Sequence, residues 1–194
     1  MSSPGFEAVA IGGSAGSLKA LSQILPALPS SFPLAILLVV HLPPDKPSVL
    51  ADVLQEKCAV AVREARDKEP ILPGTVYLAP PDYHLLVESS RHLSLSYDEP
   101  QLFSRPSIDV LFESAADVYG PALLGIVLSG ANNDGALGLK TVVAEGGLGL
   151  VQSPEEACAP AMPLAALEEC REARSLRPEE IATFLRNLCR HEQS

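Results

Sequence analysis

Residues 8–25 read AVAIGGSAGSLKALSQIL, and this stretch decides the fold. Ala8 to Ile11 is a short apolar run of the kind that forms a buried strand, and it breaks on Gly12, Gly13 and Gly16. Beyond the glycines, Leu18, Leu21, Ile24 and Leu25 take up the three-to-four spacing of a helix face, which Pro26 and Pro29 close. Strand, glycine turn and helix in direct succession open an α/β unit.

The same alternation continues outward. Leu34 to Val40 is continuously apolar, as a parallel strand buried on both faces must be. A proline-rich turn from His41 to Pro47 leads into a helix expected from Ser48 to about Lys57. Val76 to Ala79, Leu85 to Glu88 and Leu93 to Tyr97 are short runs between turn residues, and they predict an antiparallel section. A helix follows over Ile108 to Tyr119, with Val110, Leu111, Ala115 and Val118 on one face. Then come a strand at Leu123 to Ser129, a Gly/Asn/Asp loop and a helix at Ala136 to Glu145. Gly149 to Val151, Pro163 to Glu169 and a terminal helix from Pro178 to about Arg190 complete the pattern. The expected architecture is one α/β domain over residues 1–194, a three-layer doubly wound fold. Its sheet is mostly parallel, with a small antiparallel excursion. Sites in such sheets lie beyond the carboxyl ends of the strands.

Composition excludes several classes. A net charge of −10 and the absence of Trp oppose nucleic-acid binding, which selects basic faces and stacking aromatics. The cysteines (Cys58, Cys158, Cys170, Cys189) form no Cys-x-x-Cys pair and read as free thiols. The N-terminus lacks a basic stretch followed by an apolar signal core, and the apolar run Pro33 to Val40 is too short to cross a bilayer. A cytoplasmic protein without membrane insertion is expected.

Three strand-end loops carry the chemistry. In the first, Ser14 sits where a strand turns into a helix, so free N–H groups and the helix dipole face its hydroxyl. The loop meets the Gly-x-Ser-x-Gly pattern only loosely, and an anion-binding turn is the rival reading. In the second, His41 ends a buried strand, either as a general base or as a residue bonded to a backbone carbonyl. The third loop, Ser129 to Gly135, contains Asp134, either the acid that orients His41 or a helix cap. Asp109 and Asp82 rank below it as acids. His84, His92 and His191 read as structural or surface residues. A hydroxyl needs a base, and three such loops on one rim together predict a serine triad.

The blocks AIGGSAGSLKAL (10–21), VVHLPPD (39–45), VYLAPPDYHLLV (76–87), RPSIDVLFESAA (105–116), LSGANNDGALGLK (128–140) and EGGLGLVQSPEEACAPAMPLAAL (145–167) cover nearly the whole chain. In that order they resemble the catalytic domain of CheB-type chemotaxis protein-glutamate methylesterases. The resemblance implies Ser14 as nucleophile, His41 as base and then acid, and Asp134 as orienting carboxylate, with no metal or organic cofactor. It implies glutamyl methyl esters on the cytoplasmic helices of methylated chemoreceptors as substrate, and glutamine deamidation as a second reaction. Arg105 stands where a substrate-side contact is implied. Ala15 departs from the usual threonine, Ser17 from a common glycine, Val40 from glutamine and Ala131 from a frequent methionine. Family members usually carry an N-terminal receiver domain. Here the first strand begins within ten residues, so either a receiver-less member or a catalytic fragment is expected, with an open site and any regulator acting in trans. A serine esterase for another protein ester and a non-catalytic binding module are the alternatives.

Overall fold

The computed structural model describes residues 5–42 and 49–189. Seven strands form one sheet: β1 (Ala8–Gly13), β2 (Ala35–Val40), β3 (Ala61–Glu64), β4 (Thr75–Leu78), β7 (Leu123–Val127), β8 (Leu148–Gln152) and β9 (Arg174–Leu176). Their order is β3-β4-β2-β1-β7-β8-β9, and every pairing in it is parallel. β5 (His84–Val87) and β6 (Leu93–Ser96) make a separate antiparallel hairpin. The helices are α1 (Ser17–Ile24), α2 (Leu50–Gln55), α3 (Ile108–Tyr119), α4 (Ala136–Ala144), α5 (Ala161–Glu169) and α6 (Pro178–Leu188).

The strand period of two divides the core into two layers. Val9 and Ile11 of β1 and Ile36, Leu38 and Val40 of β2 face Leu21, Ile24, Leu54, Ile181 and Leu185, from α1, α2 and α6. Ala8 and Ala10 of β1, with Ala35, Leu37 and Val39 of β2, face the other way, toward α3, α4, α5 and the hairpin. Helices on both faces of a parallel sheet make the three-layer, doubly wound fold expected from the sequence. Fully burying Phe112, Leu111 or Leu139 contributes about 1.5–3 kcal/mol each, which explains why α3 and α4 bury the faces they do.

Two expectations are corrected. Val76 to Ala79 was expected in an antiparallel section, but β4 lies inside the parallel sheet between β2 and β3, and only β5 and β6 are antiparallel. Val76, Tyr77 and Leu78 are all buried, which is the signature of an internal parallel strand. The sequence reading also lacks β3 and β9, the two sheet edges. These strands are four and three residues long, carry Arg63, Glu64 and Arg174, and are mostly exposed or half-buried. Short charged edges resist further pairing and leave little periodicity to read. The expected turn over Pro43 to Pro47, the start of its helix at Ser48, the helix end at Arg190 and His191 lie outside the described residues.

α3 comes very close to β1. A Cβ built on Gly12 would lie 2.2 Å from Cγ2 of Ile108, the first residue of α3. Gly12→Ala is therefore expected to cost about 1–3 kcal/mol through overpacking. Thermal melting checks it, and an unchanged Tm would show that Ile108 moves aside freely.

Candidate active site

β1 is central, with β2 on one side and β7 on the other, and its hydrogen-bond ladder runs on past the strand ends. His41 N–H donates to the Gly13 carbonyl (3.1 Å), Ser14 N–H to the Ser129 carbonyl (2.9 Å) and Leu128 N–H to the Gly12 carbonyl (2.8 Å). The register pairs Gly13 with Val40, so Ser14 and His41 follow as neighbours on strands about 4.8 Å apart. α1 and α4 then leave toward opposite faces of the sheet, which opens a crevice between the ends of β1 and β7.

The Ser14 turn is tied down from both ends. Its carbonyl accepts from Ser17 N–H (3.1 Å) and from Ser17 Oγ (2.7 Å), and Ser17 is fully buried. Gly16 has φ +77°, and a Cβ there would lie 2.4 Å from Cβ of Cys158, so both backbone and space require glycine. Ser129 is the second anchor. Its hydroxyl donates to the Ala15 carbonyl (2.7 Å) and accepts from Ala159 N–H (2.9 Å), while its own N–H donates to Gln152 Oε1 (2.9 Å). Ser14 N–H is committed to Ser129, whereas the N–H groups of Ala15 and Gly16 meet no hydrogen-bond partner among the described residues. The Ser14 hydroxyl is half-buried and likewise makes no hydrogen bond among the described residues.

His41 and Asp134 are in direct contact, with Nε2 2.8 Å from Oδ2. Asp134 is fully buried and seated on the N-terminus of α3. Its Oδ2 accepts from Ile108 N–H (2.7 Å) and its Oδ1 from Asp109 N–H (3.0 Å) and Ser107 Oγ (3.0 Å). Ser107 is the N-cap, and its Oγ accepts from Val110 N–H while its own N–H donates to Nδ1 of His84 (3.1 Å). The first-turn donors of α3 are thus satisfied by a carboxylate from another loop, with the helix dipole favouring its charge. Burial opposes ionisation of Asp134. The hydrogen bonds from His41, Asp109 and Ile108 outweigh it and hold the pKa below the ordinary carboxylate value.

Asp109 does the reverse. It belongs to the first turn of α3, yet its Oδ1 accepts from Gly135 N–H (3.0 Å) and Gly138 N–H (2.6 Å) at the start of α4. Burial, and then repulsion from Asp134 and Glu113, push its pKa up to about 6, despite those two bonds.

Of the residues singled out from sequence, Ser14, His41 and Asp134 are brought to one rim, His41 and Asp134 in contact and Ser14 alongside in register. Asp82 instead binds Arg105 (2.7 Å to Nη2) and Asp109 caps α4, so neither meets His41. His84 is buried and structural, its Nε2 donating to the Glu99 carbonyl (3.1 Å). His92 bonds the Ser90 carbonyl (3.0 Å) and has no part in the rim. Sequence reasoning missed Ser107, Ser129, Gln152 and the capping role of Asp109. Ser107 before a helix is a recognisable N-cap. The others act only across tertiary contacts and leave no local signal. Among the described residues no group of three His, Cys, Asp or Glu side chains could hold a metal ion, and the four cysteines are free.

The family model described as CheB methylesterase matches residues 9–185. A Leptospira interrogans protein is 45% identical over 183 residues, covering 94% of this chain and 95% of its own. The Symbiobacterium thermophilum protein-glutamate methylesterase/protein-glutamine glutaminase is 38% identical over 160 residues, covering 82% of this chain but 44% of its own. The chain thus spans nearly all of the first relative and under half of the second. The crystal structure of the Thermotoga maritima CheB methylesterase catalytic domain superposes with TM-score 0.90 at 32% identity, covering 94% of this chain and 98% of that one.

The crossed carboxylates set a pH dependence. An Asp with raised folded pKa binds more protons folded than unfolded between about pH 4 and its folded pKa, so its contribution to stability falls as pH rises through that window. Asp134, with its lowered pKa, contributes stability that is complete above about pH 4 and is lost as pH falls through the folded value. Asp109→Asn keeps an acceptor for Gly135 and Gly138 but removes the charge. After discounting for its partial exposure, it is expected to stabilise the fold by about 1 kcal/mol at pH 8, or about 2–4 °C in Tm. The gain should vanish by about pH 4. Equal melting of the two proteins at pH 8 would contradict this.

Proposed function

The chain belongs to the CheB methylesterase family, and on that premise we propose that it is a protein-glutamate methylesterase using Ser14, His41 and Asp134 as a serine triad. One observation carries the assignment of roles. The imidazole of His41 is fixed by a buried, ionised Asp134 at the strand end adjacent to Ser14. Because Nε2 faces Asp134, Nδ1 is the ring nitrogen left to serve Ser14.

Ser14 Oγ attacks the side-chain carbonyl carbon of an esterified glutamate and passes its proton to His41 Nδ1. The imidazolium is stabilised by Asp134. The oxyanion takes its hydrogen bond from Ala15 N–H, the residue after the nucleophile at the head of α1. His41 returns the proton to the leaving methoxide and methanol departs. A water molecule then gives a proton to His41 as it attacks the acyl-enzyme carbonyl. Collapse of that intermediate returns the proton to Ser14 Oγ and frees glutamate. Ala15 keeps the backbone donor that this scheme needs, so the missing threonine hydroxyl leaves the route intact. The names of relatives such as the Symbiobacterium protein support glutamine deamidation by the same acyl-enzyme path, with ammonia leaving.

The substrate in this reading is the cytoplasmic part of a methylated chemoreceptor. The chain acts as a catalytic domain in the cytoplasm. No helix among the described residues is long and apolar enough to cross a membrane.

Methanol release from methyl-labelled receptor membranes tests the proposal. Ser14→Ala is expected to abolish it, and Asp134→Asn to lower kcat by about 10⁴-fold. Wild-type turnover in the Ser14→Ala protein would end the assignment.

A further inference from the structure

Beside His41 lies a cavity of about 210 Å³, lined among others by Asp82, Phe103, Arg105 and Pro106. Small-molecule pockets commonly run to about 300–1,000 Å³, so this one suits a single side chain, and the rest of any substrate must lie on its rim. The two charged residues lining it, Arg105 and Asp82, neutralise each other.

One wall of the cavity belongs to a turn that the mechanism does not use. Gln101 and Ser104 exchange both backbone hydrogen bonds (3.0 and 2.8 Å), which makes Leu102 and Phe103 the central pair of a two-residue hairpin turn. Both have positive φ, +48° and +62°, the type I′ combination that favours Asn-Gly. The sequence places two large apolar residues there instead, and Phe103 is fully exposed. The position is unfavourable twice over, in its left-handed backbone and in its uncovered apolar surface. Strained residues of this kind gather at ligand clamps.

The turn is followed directly by Arg105, which is held by several contacts. Arg105 lies 3.8 Å from the centroid of the Tyr97 ring, donates to Asp82 through Nε and Nη2, and reaches the carbonyls of Tyr97 and Asp98. Tyr97 in turn leans on Tyr83, with ring centroids 5.6 Å apart. Tyr83 and Tyr97 are both exposed, so an aromatic face built around a fixed arginine borders the cavity. That is the composition of an interface hot spot.

We propose that Phe103, with Leu102, is a specificity-determining anchor. It packs on an apolar side chain of the substrate polypeptide next to the esterified glutamate, whose side chain runs along the cavity and reaches Ser14 at its His41 end. The inference rests on the methylesterase reading. The neutral lining favours the esterified side chain over its free carboxylate, and an exposed phenyl ring gains most from an apolar neighbour.

The test is the double variant Leu102→Asn/Phe103→Gly, which gives the turn its preferred residues and removes the anchor. Its Tm is expected to equal or exceed that of the wild type, which separates loss of docking from loss of fold. Turnover of methyl-labelled receptor membranes, divided by turnover of p-nitrophenyl acetate, is expected to fall by about tenfold or more, through KM for the receptor. Phe103→Trp is expected to retain the wild-type ratio. An unchanged ratio in the double variant overturns the inference, as does a parallel loss on both substrates. Absence of methanol release from receptor membranes by the wild-type protein overturns the methylesterase reading, and the anchor falls with it.

Discussion

Two carboxylates, each seated on the other's helix, hold the site together. Asp109 opens α3 but binds the first turn of α4, whereas Asp134 precedes α4 and binds the first turn of α3. Each exchange satisfies backbone donors that a buried helix end would otherwise leave unpaired. It also fixes Asp134 from three sides before the imidazole is considered, so the direction of its bond to His41 is set by α3 and not by a rotamer. The cost is two negative charges in one buried place. The pair resolves it asymmetrically: Asp134 keeps its charge, held by His41 and the helix, while Asp109 is displaced upward to about 6.

The sheet supplies the remaining precision. Ladder bonds from β1 to both neighbours continue for a residue beyond the strands, so Ser14, His41 and Ser129 inherit the register of buried backbone. Ser129 then joins the Ser14 turn to the segment at Ala159 through one hydroxyl. Departures from the family pattern fit this frame. Ser17 adds a second bond to the Ser14 carbonyl, Val40 enters the core under β2, and Ala131 and Ala15 lie exposed. The first thus adds a hydrogen bond to the turn.

The central architecture was legible because its strands are continuous apolar runs and its helices change period after glycine or proline. Helix Ile108–Tyr119 falls where the spacing put it. The edge strands were not legible, since three or four residues with charged faces resemble loops until a neighbour pairs with them. Val76 to Ala79 reads as part of the antiparallel section because a short run gives no sign of which strand it will meet, here β2 and β3. Ser14, His41 and Asp134 were readable as polar residues at strand ends. Ser129, Gln152 and the crossed role of Asp109 were not, because a hydrogen bond between residues far apart in sequence has no period.

The contact between His41 and Asp134 spans 93 residues of chain. During synthesis, Ser14 and His41 emerge well before α3 and α4, when no carboxylate is available to the imidazole and no Ser129 carbonyl to the serine turn. A nascent chain therefore carries Ser14 and His41 before the groups that orient them. Both contacts form only when the second half of the sheet docks, a non-local step that is slow compared with helix formation. The geometry of the rim is thus a property of the whole sheet: the first half of the chain carries Ser14 and His41 without the groups that hold them.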